Sequence, residues 1–330
     1  IENGKIVKIG QHIEAQNTQV IDASGLLVTP GLIDIHVHFR DPGYTDKESI
    51  ESGMKAAIAG GFTTVVCMPN TLPVIDNKKT LKYVLQKAEN QGLIKVYSAS
   101  AITYGIKGQT LVDMDDLVSH GAVTFIDDGG SGISANLLHK AYQKAAKLGV
   151  PITSNDKNSY FNIEGSLNRG EVSRALGDSG MPALSEELGI ARDILFAEDT
   201  GARVHIQSVS TARGVQLVRE AKARGVKVTA EGSPHHFSLT DDTVRELGAL
   251  AKVNPPLRTN QDVEAVIHGL QDGTLDIIAS DHAPHTAEEK KQDLQSAPFG
   301  VSGLEPRVGV TFTYLVHTGQ LSVEAASTKM

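Results

Sequence analysis

The sequence contains no tryptophan, only 5% aromatic residues, and one cysteine among its 330 residues. With so few large rings, the core is expected to be built from Val, Ile, Leu and Ala. The lone Cys67 excludes an internal disulfide, which fits a reducing cytoplasm. It sits in the apolar run TTVVCM and reads as packing rather than as a nucleophile. No run approaches the ~18 apolar residues of a membrane-spanning helix, and no signal-peptide pattern is visible. The sequence begins with Ile1 rather than Met, so a preceding leader stays open. Basic excess is also lacking. With 31 Lys and Arg against 39 Asp and Glu, the net charge is −8, which argues against nucleic acid or another polyanion as partner. A few local cations would still suffice for a small anionic substrate.

What is present is an ordinary globular composition, 40% hydrophobic and 21% charged, able to bury a large core. The length allows several domains, but single α/β barrels also reach it. Residues 1–30 differ from the rest: GKIVKIG and TQVIDASGLLVTPG read as short strands with no helix after them. From residue 32 short apolar runs alternate with amphipathic stretches. The strand candidates are 32–37, 63–68, 94–99, 122–127, 151–154, 203–208, 226–231 and 275–280. Helix-like segments lie between them, such as LKYVLQKAEN and ANLLHKAYQKAAKLG, and several end in Gly, the usual residue just past a helix C-terminus. Eight strands alternating with helices predict a parallel (β/α)8 barrel over 31–330 rather than an open doubly wound sheet. The long irregular stretches 156–183 and 283–303 are expected to be lids or functional insertions.

Polar residues cluster at the C-terminal ends of these strands, the rim where a barrel builds its active site. Strand 1 ends in His36-Val37-His38, strand 4 in Asp127-Asp128-Gly129, and strand 8 in Asp281-His282. Residues two apart on a strand point the same way, so His36 and His38 can chelate one ion. Imidazole nitrogens suit zinc and similar divalent metals. An isolated H-x-H is a weak signal; with Arg40-Asp41-Pro42-Gly43 after it and Asp281 in ASDHAPH it is strong.

The segments GLIDIHVHFRDPG, TTVVCMPNTLPVID, FIDDGG, KVNPPLRT, IASDHAPHTAEEK and APFGVSGLE resemble the motifs of type I dihydroorotases in the amidohydrolase superfamily, in the same order and at similar spacing. Hydantoinases and allantoinases usually carry a carboxylated Lys at the end of strand 4, where this sequence has Asp128. The resemblance implies that His36, His38 and Asp281 hold a metal, with Asp128 a further or bridging ligand. It implies that Arg40, Asn70 and His285 bind the substrate carboxylate. Asn254 and the backbone at Phe299-Gly300 would contact the pyrimidine ring, His38 would also face the substrate, and Asp281 would be the general acid/base. A metal brings the pKa of a bound water toward ~7, and Asp281 can then shuttle its proton to the leaving nitrogen. The Arg40 guanidinium offers a planar fork that matches a carboxylate. Taken singly, each residue has a plainer reading: Arg40 as partner of Asp41 or Asp46, Asn70, Asp128 and Asn254 as turn residues, His285 as a loop histidine. His235-His236 also matches the family and reads as support for strand 7.

The sequence departs from the family in two places. Strand 5 of the family ends in His, where this sequence has Ser154-Asn155-Asp156. Strand 6 ends in His, where it has Ser208. Those two histidines normally hold a second metal. A neutral Asn155 oxygen and a Ser208 hydroxyl are poor zinc ligands, so a single Zn2+ is expected. His205 lies an odd number of residues from Ser208, which turns it to the opposite face. Asp156 beside Asn155 meets the same objection. The family also closes a small β-sandwich with strands from both ends of its chain. Residues 1–30 supply part of the N-terminal set, and the sequence stops in the helix-like SVEAASTKM, so the C-terminal strands are expected to lie outside it.

The expected function is a zinc-dependent dihydroorotase of pyrimidine (UMP) synthesis in the cytoplasm, which interconverts N-carbamoyl-L-aspartate and (S)-dihydroorotate. A homodimer and a partnership with aspartate transcarbamoylase are what family behaviour implies. Two alternatives stay open: a non-catalytic dihydroorotase-like subunit of aspartate transcarbamoylase, and a hydrolase of another cyclic amide such as a hydantoin.

Overall fold

The structure is a computed structural model that describes residues 1–14, 18–128, 132–155 and 165–330. Its chain divides into two compact units, Ile1–Pro30 and Gly31–Met330. In the smaller unit the described residues form no strand. They make one isolated bridge, Glu2 to Lys5, and Ile6, Val7, Ile9, Val20, Ile21 and Leu26 are exposed. The expected strands of residues 1–30 are therefore not formed here. Alternation alone does not make a strand; a ladder needs a neighbouring edge to receive its N–H and C=O groups.

The larger unit carries eight strands: β1 Leu32–Val37, β2 Phe62–Cys67, β3 Lys95–Ser100, β4 Ala122–Phe125, β5 Ile152–Ser154, β6 Val204–Ile206, β7 Val228–Gly232 and β8 Ile277–Ile278. They pair in sequence order, and every pairing is parallel. The ring closes near the rim, where Val37 bridges His282 in parallel and the His38 N–H donates to the His282 carbonyl at 2.8 Å. Lower on the same seam β1 and β8 are spliced by the chain's last residues. Ile33 N donates to Met330 O at 2.7 Å and Ile278 N to Lys329 O at 2.8 Å. The fold is thus the (β/α)8 type that the alternation predicts.

The helices follow from local signals. Helix Lys78–Gln91 starts at Asn77, whose side chain accepts from Lys79 N and Thr80 N, and stops at Gly92 in the left-handed region. It buries Thr80, Leu81, Val84 and Ala88, one face at helical spacing, each large apolar side chain worth about 1.5–3 kcal/mol of burial. Val65, Cys67 and Phe125 face the helices in the main apolar core. Val66, Met68, Ala99 and Ile126, of the other parity, form a separate small cluster. Cys67 is buried as expected, and burial pushes its thiol pKa well up. The stretch 283–303 contains the short helix Ala287–Lys290, and SVEAASTKM contains helix Val323–Thr328. Of the stretch 156–183, residues 156–164 lie outside the described residues. No described helix is long and apolar enough to cross a membrane.

Candidate metal centre

The strand ends bring the expected residues together. The ligating atoms of His36, His38 and Asp281 lie within 4.8 Å of one another. Asp281 Oδ1 is 3.2 Å from His36 Nε2 and 3.4 Å from His38 Nε2. Each imidazole is held by its other nitrogen. His36 Nδ1 lies 2.6 Å from Glu231 Oε1 on β7, and His38 Nδ1 lies 2.9 Å from Asn70 Oδ1. Both Nε2 atoms are therefore directed at Asp281.

Three residues at this rim adopt positive φ without being glycine: Arg40 at 59°, Ser208 at 46° and Asp281 at 49°. Left-handed backbone is costly for such residues. Here it turns each chain sharply where its strand ends.

The geometry fits a cation. His36 Nε2 is buried and has no hydrogen-bond partner among the described residues, since its approach to Asp281 lacks hydrogen-bonding geometry. A buried imidazole nitrogen without a hydrogen-bond partner, facing a carboxylate and a second imidazole, belongs to the donor set of a divalent ion such as zinc, which would take the place of its proton. The local field agrees. Burial alone would lower the His36 pKa, but Asp281 and Glu231 outweigh it and hold it up to about 9. Burial would likewise raise Glu231, yet His36 and His205 pull it down to about 2. Positive charge is favoured at this spot.

Asp128 stands apart from the trio. Its carboxylate accepts from Asn70 Nδ2 at 2.8 Å and from Asn155 Nδ2 at 3.0 Å, and lies 3.6 Å from His38 Nδ1. Ser208 Oγ is 3.2 Å from Ser233 Oγ and 3.5 Å from Asp281 Oδ2. Among the described residues, the His and carboxylate atoms close enough to share one ion are those of His36, His38 and Asp281, and Asp128 is not among them. Asp156 and Gly129 lie outside the described residues.

The parity argument for His205 is corrected. His205 Nε2 lies 2.9 Å from Glu231 Oε2, and Ser208 N donates to Glu231 Oε1 at 3.3 Å. The Ser208 side chain also points inward, its Oγ 3.5 Å from Asp281 Oδ2, because β6 ends at Ile206 and positive φ at Ser208 breaks the two-residue alternation. His205 still does not join the trio; Glu231 stands between it and His36.

A cavity of about 480 Å3 opens beside the trio, and its walls include His38, Arg40, Asn70, Asp128, Asn254, Asp281, Phe299 and Gly300. His36 and His285 do not line it. His285 stands against Arg40, its Nε2 3.3 Å from Arg40 Nη2 and 2.9 Å from the Phe299 carbonyl. Arg40 does not pair with Asp41, which is taken by Lys87 at 2.8 Å and by Tyr83. Its Nε donates to Pro284 O at 3.4 Å, and burial lowers its pKa against the pull of Asp128 and Asp281. His236 Nε2 donates to Pro255 O at 3.0 Å, so the SPHH segment supports the turn that carries Asn254.

Glu231 and Asp34 were not singled out by the sequence. Asp34 accepts from His36 N at 3.1 Å and from Ser280 N at 3.1 Å, so it ties β1 to the segment that leads from β8 to Asp281. Its place two residues before His36, on the same face of β1, was the available signal. Glu231 carried none, since no local pattern names its partner 195 residues away.

A sequence model of the dihydro-orotase-like family matches residues 25–213. The dihydroorotase of Pelotomaculum thermopropionicum is 50% identical over 330 residues, all of this chain and 77% of that protein. That of Clostridioides difficile is 46% identical over 331 residues, with 100% of this chain and 78% of that protein covered. Among solved structures, the L-hydantoinase (dihydropyrimidinase) of Arthrobacter aurescens superposes with a TM-score of 0.83 at 26% identity, covering 95% of this chain and 72% of that one. The barrel, its histidine and carboxylate rim and these likenesses agree, and the chain belongs to the dihydro-orotase-like family of cyclic amide hydrolases.

Proposed function

We propose that the protein is a dihydroorotase that uses one zinc ion, held by His36, His38 and Asp281, to interconvert N-carbamoyl-L-aspartate and (S)-dihydroorotate. The observation that carries this reading is Arg40. It lines the same cavity as Asp281 and makes no ion pair among the described residues, while its neighbour Asp41 is paired elsewhere. A half-buried guanidinium without a carboxylate calls for an anionic ligand, and both substrates carry a carboxylate.

When bound, the zinc ion supplies Lewis-acid activation of water and of the ring amide carbonyl. The protein's own groups do the rest. Arg40 grips the substrate carboxylate, and His285 braces Arg40 from the side away from the cavity. Asn254 and the backbone of Phe299 and Gly300 bound the ring. Asn70 contributes to the carboxylate site while tying His38 to Asp128. Asp281 takes the proton of the attacking water on its carboxylate and returns it to the ring nitrogen as the amide bond breaks. We assign Asp128 to the edge of the centre, where each of its oxygens accepts from an amide, Oδ2 from Asn70 and Oδ1 from Asn155. This supports one ion rather than two. The same reading places the enzyme in de novo pyrimidine synthesis in the cytoplasm.

The test is dihydroorotate hydrolysis by the purified chain with added zinc. Turnover that falls roughly 100- to 10,000-fold in Asp281→Asn supports the reading. Hydrolysis of a hydantoin but not of dihydroorotate would reassign the substrate. No turnover of either, with zinc bound, would favour a non-catalytic partner of aspartate transcarbamoylase, the reading to which Asn155 and Ser208 lend support.

A further inference from the structure

We infer that Glu231 and His205 are positioning residues for the ion, acting through His36. The inference rests on the proposed metal centre and goes beyond it, since neither residue touches the cavity.

Three elements converge on one carboxylate in the barrel. Glu231 on β7 is fully buried. One oxygen, Oε1, lies 2.6 Å from His36 Nδ1 and accepts from Ser208 N at 3.3 Å. The other, Oε2, lies 2.9 Å from His205 Nε2. His205 is held in turn by Thr229 Oγ1, 2.9 Å from its Nδ1. The strand register explains the meeting. His205 pairs with Thr229 across β6 and β7, so Glu231, two residues on, shares their face.

The chemistry gives the arrangement a direction. A carboxylate accepts and does not donate, so Glu231 requires the His36 proton on Nδ1. The His36 lone pair is then on Nε2, the atom that is buried without a hydrogen-bond partner beside Asp281. Glu231 thus fixes both the ring orientation and the tautomer of a ligand histidine, and a hydrogen-bonded carboxylate makes that imidazole a better donor to a metal. His205 acts one step further out. Its Nε2–H holds Oε2, and with Thr229 on its other side it cannot swing away. Without it, Glu231 would carry a buried oxygen lacking its partner and could rotate from His36. Ser208 N fixes the same carboxylate from the turn that follows β6.

The test is zinc affinity of the full chain, measured by competition with a chromophoric chelator, for wild type, Glu231→Gln, His205→Gln and His205→Leu. The glutamine at 231 keeps the shape and removes the charge. Expected is a 10- to 100-fold weaker zinc affinity in Glu231→Gln. A smaller loss is expected in His205→Leu, with much of it restored in His205→Gln, whose amide N–H can still reach Glu231. Apo-protein melting temperature and 15N shifts of the His36 ring accompany each titration. Wild type should show Nδ1 protonated and Nε2 metal-bound, and Glu231→Gln should blur that preference without loss of fold. Equal zinc affinity in Glu231→Gln and wild type, with both folded, would overturn this inference alone. Failure of the wild-type chain to bind zinc would overturn it together with the proposed centre.

Discussion

The Arg307 guanidinium is fully buried, with Nη1 3.0 Å from the Asp34 carboxylate. Arg307 also donates to the carbonyls of Ile33 and Ile278, one on β1 and one on β8. It therefore clamps the seam just below His36 and Asp281, where the two strands do not pair directly. Removing one partner of a buried ion pair leaves the other charge unpaired and costs about 3–5 kcal/mol. Arg307→Met is expected to lose that much, measured by urea unfolding. Loss below ~1 kcal/mol would mean that the pair does not support the seam.

Arg40 is predicted to set substrate affinity. Charged hydrogen bonds contribute about 1.5–3 kcal/mol, so Arg40→Met should raise KM for dihydroorotate roughly 10- to 100-fold with a smaller change in kcat. Arg40→Lys should restore little, since an ammonium cannot form the two-pronged contact. Steady-state kinetics checks both. An unchanged KM in Arg40→Met would remove Arg40 from the carboxylate site.

The rim loop makes a steric prediction. Gly300 has φ 134°, and a Cβ there would lie 2.5 Å from the Ala283 carbonyl. Gly300→Ala should cost about 1–3 kcal/mol of local strain and raise KM, because Phe299 and Gly300 line the cavity. The loop is pinned rather than loose: Lys252 Nζ donates to Leu294 O at 2.7 Å and Lys290 Nζ to Gly300 O at 2.9 Å. A melting temperature and KM equal to wild type would contradict the account.

His285 gives a pH signature. Burial first, then Arg40, holds its pKa down to about 4 from 6.5. Between those values the unfolded chain binds a proton that the folded chain does not. Stability from this group is therefore full above about pH 6.5 and is lost as pH falls toward about 4. His285→Gln should flatten the acid side of the urea-midpoint profile between those limits. An unaltered profile would show that His285 titrates freely.

Much of the barrel was legible in the sequence because its signals are local. Strand β1 spans the residues predicted from LIDIHV, and the other seven strands lie within or beside their apolar runs. The two-residue period puts His36 and His38 on one face at the rim of the barrel, and the resemblance to dihydroorotase motifs joined Asp281 to them. What escaped depends on partners far along the chain. Glu231 meets His36 across the sheet, Arg307 reaches Asp34 at the seam, and Lys252 holds a loop some 40 residues on. The face assigned to His205 failed for a different reason: strand parity ends where β6 ends, and Ser208 turns the chain with positive φ. In residues 1–30 short apolar runs are present, but the described residues of that unit form no strand that could offer a pairing edge.

The central claim is one catalytic ion at His36, His38 and Asp281. Its most direct test is elemental analysis of the purified chain after zinc loading and removal of free metal, run beside the Asp281→Ala variant. The account predicts about one zinc per chain in wild type and well under one in the variant. Two zinc ions per chain, or one zinc retained undiminished in Asp281→Ala, would contradict it.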